Sequence, residues 1–255
     1  MNRISDAVSE IYKLDMEAGK KGWLQEIHPL SKLLVTILFI LLTVSFGKYD
    51  LSGLLKMGIY LIAAFVLGDI SIKMLLKRMK LLLALVCLAG IGNPLFDRET
   101  LFVLGSLNVT GGMVSAATLI IKGAYSVSAS YLLMITTPME DLCRALRKLC
   151  VLKTIVTILM LAYRYIIVLL KEAERMTDAY MLRAPGQKGI SYKAWGTLAG
   201  QLLLRSMDRA QVVYDSMKLR GYGGEFPQGC RKTAGMGDYA YGIGWSAALL
   251  AVRLL

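Results

Sequence analysis

Asp178-Ala179-Tyr180-Met181-Leu182-Arg183-Ala184-Pro185-Gly186 and Asp215-Ser216-Met217-Lys218-Leu219-Arg220-Gly221-Tyr222-Gly223 are two copies of one short pattern. In each, an Asp stands five residues before an Arg, a Leu directly precedes that Arg, and small residues with glycines follow. Each copy closes a long helix-compatible run. Glycine tolerates the left-handed conformation that ends a helix, so the spacing predicts helix ends just after Arg183 and Arg220. A cation is favoured at such an end by the helix dipole. Its guanidinium is also free to project past the end and offer a donor fork to carboxylates or carbonyls of another protein. One such motif alone reads first as an ordinary basic cap. Two matched copies in succession point to two tips with the same job.

The surrounding composition says where those tips work. The 255-residue chain is 56% hydrophobic and 19% charged, with a mean hydropathy of +0.54. That is too apolar for an ordinary soluble domain. The net charge is +12, and Glu140–Lys232 holds 16 Lys/Arg against 8 Asp/Glu. In an apolar chain such a block reads as the cytoplasmic flank of a membrane protein. The stretch Met1–Gln25 is polar and offers no apolar core for a cleavable signal peptide. Cys87, Cys143, Cys150 and Cys230 form no Cys-x-x-Cys pair, and His28 is the one histidine. An internal zinc site or histidine catalysis is therefore not expected. The thiols read as small packing residues in a reducing compartment.

Residues 1–29 form a cytoplasmic leader in which Val8, Ile11, Tyr12 and Asp15 have helical spacing. His28-Pro29 breaks it, with His28 read as a local cap or interface residue rather than a ligand. Residues 30–135 supply transmembrane helices one to four: Leu30–Phe46, Leu51–Leu67, Leu81–Ile91 ended near Gly92-Asn93-Pro94, and Gly112–Ile135. Lys32, near the start of the first, is expected to snorkel to the interface. Lys73, Lys77, Arg78 and Lys80 mark an inside loop. Leu101–Leu104 and Leu107–Val109 flank Gly105-Ser106 as a small outer hairpin. The fourth span is rich in Gly, Ala and Ser, which suits either close helix contact or a loose packing face.

Residues 136–232 form a cytoplasmic module. Thr136-Thr137-Pro138 reads as a helix start, with Thr137 as cap and Pro138 in the first turn. Leu142, Ala145, Leu146 and Leu149 then make one face of a short amphipathic helix. The apolar run Thr154–Leu170 has basic residues at both flanks, which a single crossing does not satisfy. It is read as the start of one unbroken helix, Lys153–Arg183, about 45 Å long, whose apolar part packs on other helices rather than on lipid. A second long helix runs from Ser191 to Arg220, with Trp195, Leu198, Leu202 and Leu203 on an apolar face. Residues 233–255 hold a fifth, short span. The fold class expected is thus an all-α integral membrane protein. It has about five transmembrane helices and a coupling module of two long helices and one short amphipathic helix, with its N-terminus cytoplasmic.

With these motifs in place the chain resembles the transmembrane T component of energy-coupling factor transporters, more specifically its cobalt/nickel branch, the CbiQ type. The resemblance covers nearly the whole chain. It is carried by the two Leu-Arg tips and by His28-Pro29-Leu30-Ser31-Lys32-Leu33-Leu34, Phe46-Gly47-Lys48-Tyr49-Asp50, Asn93-Pro94-Leu95-Phe96-Asp97, Tyr163-Arg164-Tyr165 and Tyr214-Asp215. Neither tip is a literal Ala-Arg-Gly, but both keep the Arg. The resemblance implies a subunit of a bacterial inner-membrane importer that binds two ABC-type ATPase subunits through its tips. Leu182, Arg183 and Ala184, with Leu219, Arg220 and Gly221, would make those contacts, supported by Asp178 and Asp215. It further implies a separate metal-binding transmembrane substrate subunit, met by Leu142, Leu146, Leu149, Trp195, Leu198 and Leu202. ATP and Mg would sit on the ATPases, and cobalt or nickel on the substrate subunit.

The residue chemistry agrees with that division of labour. No Gly-x-x-x-x-Gly-Lys-Ser/Thr stretch is present to cradle ATP. No His or Cys cluster suits Co²⁺ or Ni²⁺, and the 14 Met residues read as packing. A membrane enzyme would need polar groups within the spans, and spans one to four contain almost none. A nucleic-acid adaptor is disfavoured because acidic and basic residues are interspersed along the helices. A T component serving a vitamin-binding subunit stays open, since the partner reads the substrate.

Overall fold

The computed structural model describes residues 9, 12, 16, 22–48, 50–68, 75, 80, 84–88, 90, 100–104, 107–149, 151–184, 186, 189–224 and 235–254. Among them the chain is helical apart from one hairpin. The elements are α1 (Trp23–Glu26), α2 (Pro29–Ser45), α3 (Leu51–Leu67), β1 (Thr100–Leu104), β2 (Leu107–Thr110), α4 (Gly111–Thr136), α5 (Met139–Lys148), α6 (Lys153–Arg183), α7 (Tyr192–Leu219) and α8 (Met236–Leu254). The hairpin pairs Leu104 with Leu107 as its innermost rung, which makes the expected all-α class helical with one β exception. Part of the third predicted span, the basic residues Lys73, Lys77 and Arg78, the segment 91–97 and most of the leader lie outside the described residues.

The chain divides into two compact units. One comprises Glu17–Pro138 and Arg231–Leu255. Its core is built where α2, α3, α4 and α8 meet, with Phe39, Leu54, Met57, Ala129 and Leu132 buried. Phe39 and Trp245 both lie 4.9 Å, centroid to centroid, from Tyr60. Gly58 lets α3 approach α4: a Cβ there would fall 2.5 Å from the Tyr125 hydroxyl. Gly123 on α4 likewise faces Val86, so the small residues of that helix serve close contact.

The outside of this unit is also apolar. Leu41, Val44, Ile59, Ile62, Val66, Leu85 and Leu88 are exposed. An apolar core with an equally apolar exterior suits hydrocarbon as the surrounding solvent. α4, with 26 residues, is long and apolar enough to cross a membrane, as is the 31-residue α6 of the other unit. α2 and α3 are apolar helices of 17 residues each. At 1.5 Å per residue each is about 25 Å long, a little short of a ~30 Å hydrocarbon core.

Cations close the helix ends inside this unit. Lys32 does not snorkel. It is 4% exposed, and its Nζ donates to the Thr136 carbonyl at 2.9 Å, at the C-terminus of α4. That carbonyl has no onward helical partner and sits at the negative end of the dipole, so it draws the ammonium inward. At the C-terminus of α2, Lys122 Nζ donates to the carbonyls of Val44 and Phe46, and Arg253 Nη2 donates to that of Ser45 at 3.1 Å. His28 is the N-cap of α2, its Nδ1 accepting from the Leu30 N–H at 3.1 Å. Its own N–H donates to Asp238 at 2.8 Å, which ties α2 to the start of α8.

The other unit comprises Met1–Met16 and Met139–Cys230. α5 carries Glu140 and Asp141 in its first turn and Arg147 and Lys148 in its last, matching the dipole. The helix starts at Met139, after Pro138, and the Thr137 hydroxyl is buried with no hydrogen-bond partner, so Thr137 does not cap it. α6 runs unbroken from Lys153 to Arg183, as its sequence predicts, over about 46 Å. Within its own unit the apolar part packs on α5, which covers it only in part. Among the described residues only Val156 and Thr177 of α6 are buried, and Ile155, Ile158 and Ile166 are exposed. The run has too few neighbours within its own unit to be covered.

α7 begins at the Ser191 cap, whose Oγ accepts from Ala194 N–H at 3.3 Å and from the Tyr180 hydroxyl at 3.1 Å. Further along, Arg205 pairs with Glu172. Partner numbers fall on α6 as they rise on α7, so the two helices run antiparallel.

Candidate functional site

The antiparallel arrangement sets the geometry of the two Leu-Arg tips. Arg183 ends α6 beside the start of α7, whereas Arg220 lies at the far end of α7. With 28 residues in α7, the arginines stand on the order of 40 Å apart. They are two sites, not one.

At the second tip, Arg220 is the terminal cap residue. Gly221 has φ +79°, and its N–H donates to Lys218 O at 2.9 Å. The Tyr222 N–H reaches back to Met217 O at 3.0 Å. These two bonds define a Schellman ending, which requires the left-handed glycine after the Arg. At the first tip, Ala184 N–H donates to Tyr180 O at 3.1 Å, and Gly186 has φ +96°. Both arginines are exposed, and neither pairs with a carboxylate among the described residues. Leu182 is 84% exposed and Leu219 89%, while Ala184 is half-buried. An apolar side chain beside a cation with unfilled donors is the composition of a protein-binding anchor.

Asp178 and Asp215 do not reach their arginines. A five-residue separation turns them about 140° around the helix. Both are exposed, and Asp215 instead accepts from Gln211 Nε2 at 3.2 Å on the same helix.

Of the six residues predicted to meet a membrane partner, Leu142, Leu146 and Leu149 are half-buried in the α5 segment, where Cys143 and Ala145 are the buried pair. Burial, and then the Glu140 carboxylate, raise the Cys143 thiol above its ordinary value, which leaves it a packing residue. Leu198 and Leu202 are half-buried, and Trp195 is exposed. Tyr192, Leu203, Met207 and Tyr214 are exposed on the same side of α7 as Trp195. Their positions, with Ala199 and Ala210 between them, repeat at three- and four-residue steps. This stripe is longer than the sequence reading made it, which passed over Tyr192, Met207 and Tyr214 although their spacing carries the signal. Among the described residues no group of three or more His, Cys, Asp or Glu could hold a metal ion.

An apolar-coated helical unit, together with a charged unit of two long antiparallel helices that end in exposed Leu-Arg pairs, defines a helical membrane protein. Residues 20–229, more than four fifths of the chain, match the cobalt transport protein family CbiQ. The chain belongs to that family and is a membrane component of cobalt transport. It is 28% identical to an uncharacterized protein of Methanocaldococcus jannaschii over 86% of this chain and 78% of the relative. A putative fused cobalt transport protein, CbiMQ, of Methanocorpusculum labreanum is 26% identical over 55% of this chain and 24% of its own length. The cobalt transport protein CbiQ of Rhodobacter capsulatus is 29% identical over 45% of this chain and 47% of its own.

Proposed function

We propose that this chain is the transmembrane coupling subunit of an ATP-driven cobalt importer of the energy-coupling factor type. The observation that carries the reading is the pair of exposed Leu-Arg tips, about 40 Å apart, at the opposite ends of two helices joined to each other. Each tip docks one ABC-type ATPase subunit, which holds ATP and Mg. Arg183 and Arg220 supply donor forks, Leu182 and Leu219 fill pockets, and Ala184 and Gly221 keep the approach clear. The chain itself has no catalytic role. Residues 30–135 and 233–255 supply about five spans in the inner membrane, with the N-terminus cytoplasmic. The module 136–232 lies on the cytoplasmic side.

Closure of the ATPases draws the tips, and α6 and α7 carry the displacement because they are long and tied by Glu172–Arg205 and Tyr180–Ser191. The stripe from Tyr192 to Tyr214, with Leu142, Leu146 and Leu149, meets a separate transmembrane subunit that binds the metal. The relative described as a putative fused cobalt transport protein, CbiMQ, supports such a neighbour.

A pull-down tests this. The chain is co-expressed with its candidate ATPase and substrate subunits, with and without Arg183→Ala plus Arg220→Ala. The expected result is loss of the ATPase with the membrane subunit retained. If the ATPase stays bound and ATP-driven uptake persists, the arginines are helix caps and the coupling reading fails.

A further inference from the structure

α5, the middle of α6 and Tyr12 of the leader enclose a cavity of about 440 Å³ within one unit. Met160, Arg164, Ile167 and Lys171 line it from a single face of α6, at steps of four, three and four residues. Met139, Glu140 and Cys143 line it from α5. Apolar side chains of both helices therefore face the same space as charges of both signs.

Those charges are held unequally. The Lys171 ammonium lies 5.2 Å from the centre of the Tyr12 ring, which gives it a partner. Arg164 interrupts the apolar half of α6, yet among the described residues no ion pair or hydrogen bond holds it. Glu140 is the one carboxylate among the described residues that line the cavity. It stands 3.7 Å from Arg144, and its side chain is 69% exposed. Asp141 holds the same Arg144 at 3.0 Å. Arg144 thus keeps a carboxylate when Glu140 leaves, and so exposed a pair costs little to break.

Drawing α5 against α6 would bury the apolar side chains between them, which is favourable. It would also take the Arg164 guanidinium out of water, which is unfavourable unless a carboxylate comes with it. Glu140 is the group placed to do so. We propose that α5 closes on α6 by exchange of one ion pair, in which Glu140 leaves Arg144 and joins Arg164. The arrangement described above is the open state. Lys171, already engaged by Tyr12, is not the acceptor. The exchange rests on this cavity and not on the role of the tips. In the closed state it fastens α5 to the helix that ends at Arg183.

The test uses the full chain in neutral detergent, carrying Arg164→Lys. This change keeps the charge and adds an amine that a water-soluble carbodiimide joins to a carboxylate in contact with it. Digestion and mass spectrometry then read the amide links. A link between positions 140 and 164 is expected, roughly fivefold above any link from Glu140 to Lys171, the ratio expected of one ion pair. Ile167→Trp, added to Arg164→Lys, fills the space between the helices and should lower the 140–164 link by a similar factor. Absence of the 140–164 link, an equal link from Glu140 to Lys171, an equal link from Asp141 to position 164, or a yield indifferent to Ile167→Trp would each overturn the proposal. Capture of the ATPase plays no part in this readout, so failure here leaves the coupling reading standing.

Discussion

Lys32 is the residue whose surroundings depart furthest from its pattern in the chain. Near the start of an apolar run, a lysine is expected to extend its stem to water. Instead its ammonium is buried against the Thr136 carbonyl, 104 residues further on. Nothing local reveals that partner, because the attraction comes from the end of another helix. Lys32→Ala should remove both the stem and the donor and leave that carbonyl unsatisfied. The expected loss is about 2–4 kcal/mol, read as a lower unfolding midpoint by circular dichroism in detergent. Lys32→Met keeps the stem. If it restores the full midpoint, the hydrogen bond contributes nothing. His28 was more legible, since a His before Pro at a helix start can cap with its own side chain, and it does. Its backbone bond to Asp238, 210 residues away, was not. Cys143 gives a reactivity prediction. Because its thiol is raised by burial and then by Glu140, less thiolate is present at neutral pH than for an ordinary cysteine. Maleimide labelling at Cys143 should be slow in the folded protein, speed up as pH rises, and become fast in dodecyl sulfate. Equal rates folded and unfolded would contradict the burial.

The two long helices show why element extents were readable and their surroundings were not. Pro-Gly and Leu-Arg-Gly punctuation fixed the ends of α6 and α7, because glycine after the Arg is a local backbone demand. Coverage of the apolar half of α6 depends on neighbours, and its own unit covers that half only in part. The antiparallel pairing rests on Glu172 with Arg205, whose side chains are 15% and 58% exposed. A pair this open is worth only about 0.5–1 kcal/mol, so neither Glu172→Arg nor Arg205→Glu should unfold the protein. Each should loosen α6 from α7, lowering ATP-driven uptake while the ATPase remains bound. The double exchange Glu172→Arg plus Arg205→Glu should recover uptake. Failure of the exchange to recover it would show that the pair does not transmit movement. At the second tip, Gly221→Val forces a β-branched side chain into φ +79°. The strain is about 1–2 kcal/mol, enough to dissolve the Schellman ending while leaving the rest of α7 helical. ATPase capture should fall even though Arg220 is untouched.

At the scale of the whole molecule, apolar side chains are exposed in both units, and the same exposure has two physical meanings. Around α3, Ile59 and Ile62 face outward from a unit whose helix ends are closed internally by Lys32, Lys122 and Arg253. Groups with no water to satisfy them must find partners inside, and these three cations give such partners to carbonyls at helix ends. On α7, exposed Trp195, Leu203 and Met207 share a helix with Arg205, Asp208 and Arg209, so the charged side turns toward α6 and the apolar side is the one proposed to meet a protein. Hydropathy in the sequence marks both surfaces as apolar. Only the charges around the helix distinguish them. The contrast is testable with one kind of substitution. Ile59→Lys places a charge near the middle of α3, where insertion into a membrane costs about 3 kcal/mol. It should sharply reduce the amount of full-length protein recovered in the membrane fraction. Met207→Lys puts the same charge on the α7 stripe, and membrane recovery should be normal while the metal-binding subunit is lost from pull-downs. In a water-surrounded protein both lysines would be exposed surface changes within about 0.5 kcal/mol of neutral. Normal recovery and assembly of both variants would therefore remove the membrane assignment of α3 and the partner assignment of α7 together. A defect in membrane recovery for Met207→Lys alone would exchange the two surfaces.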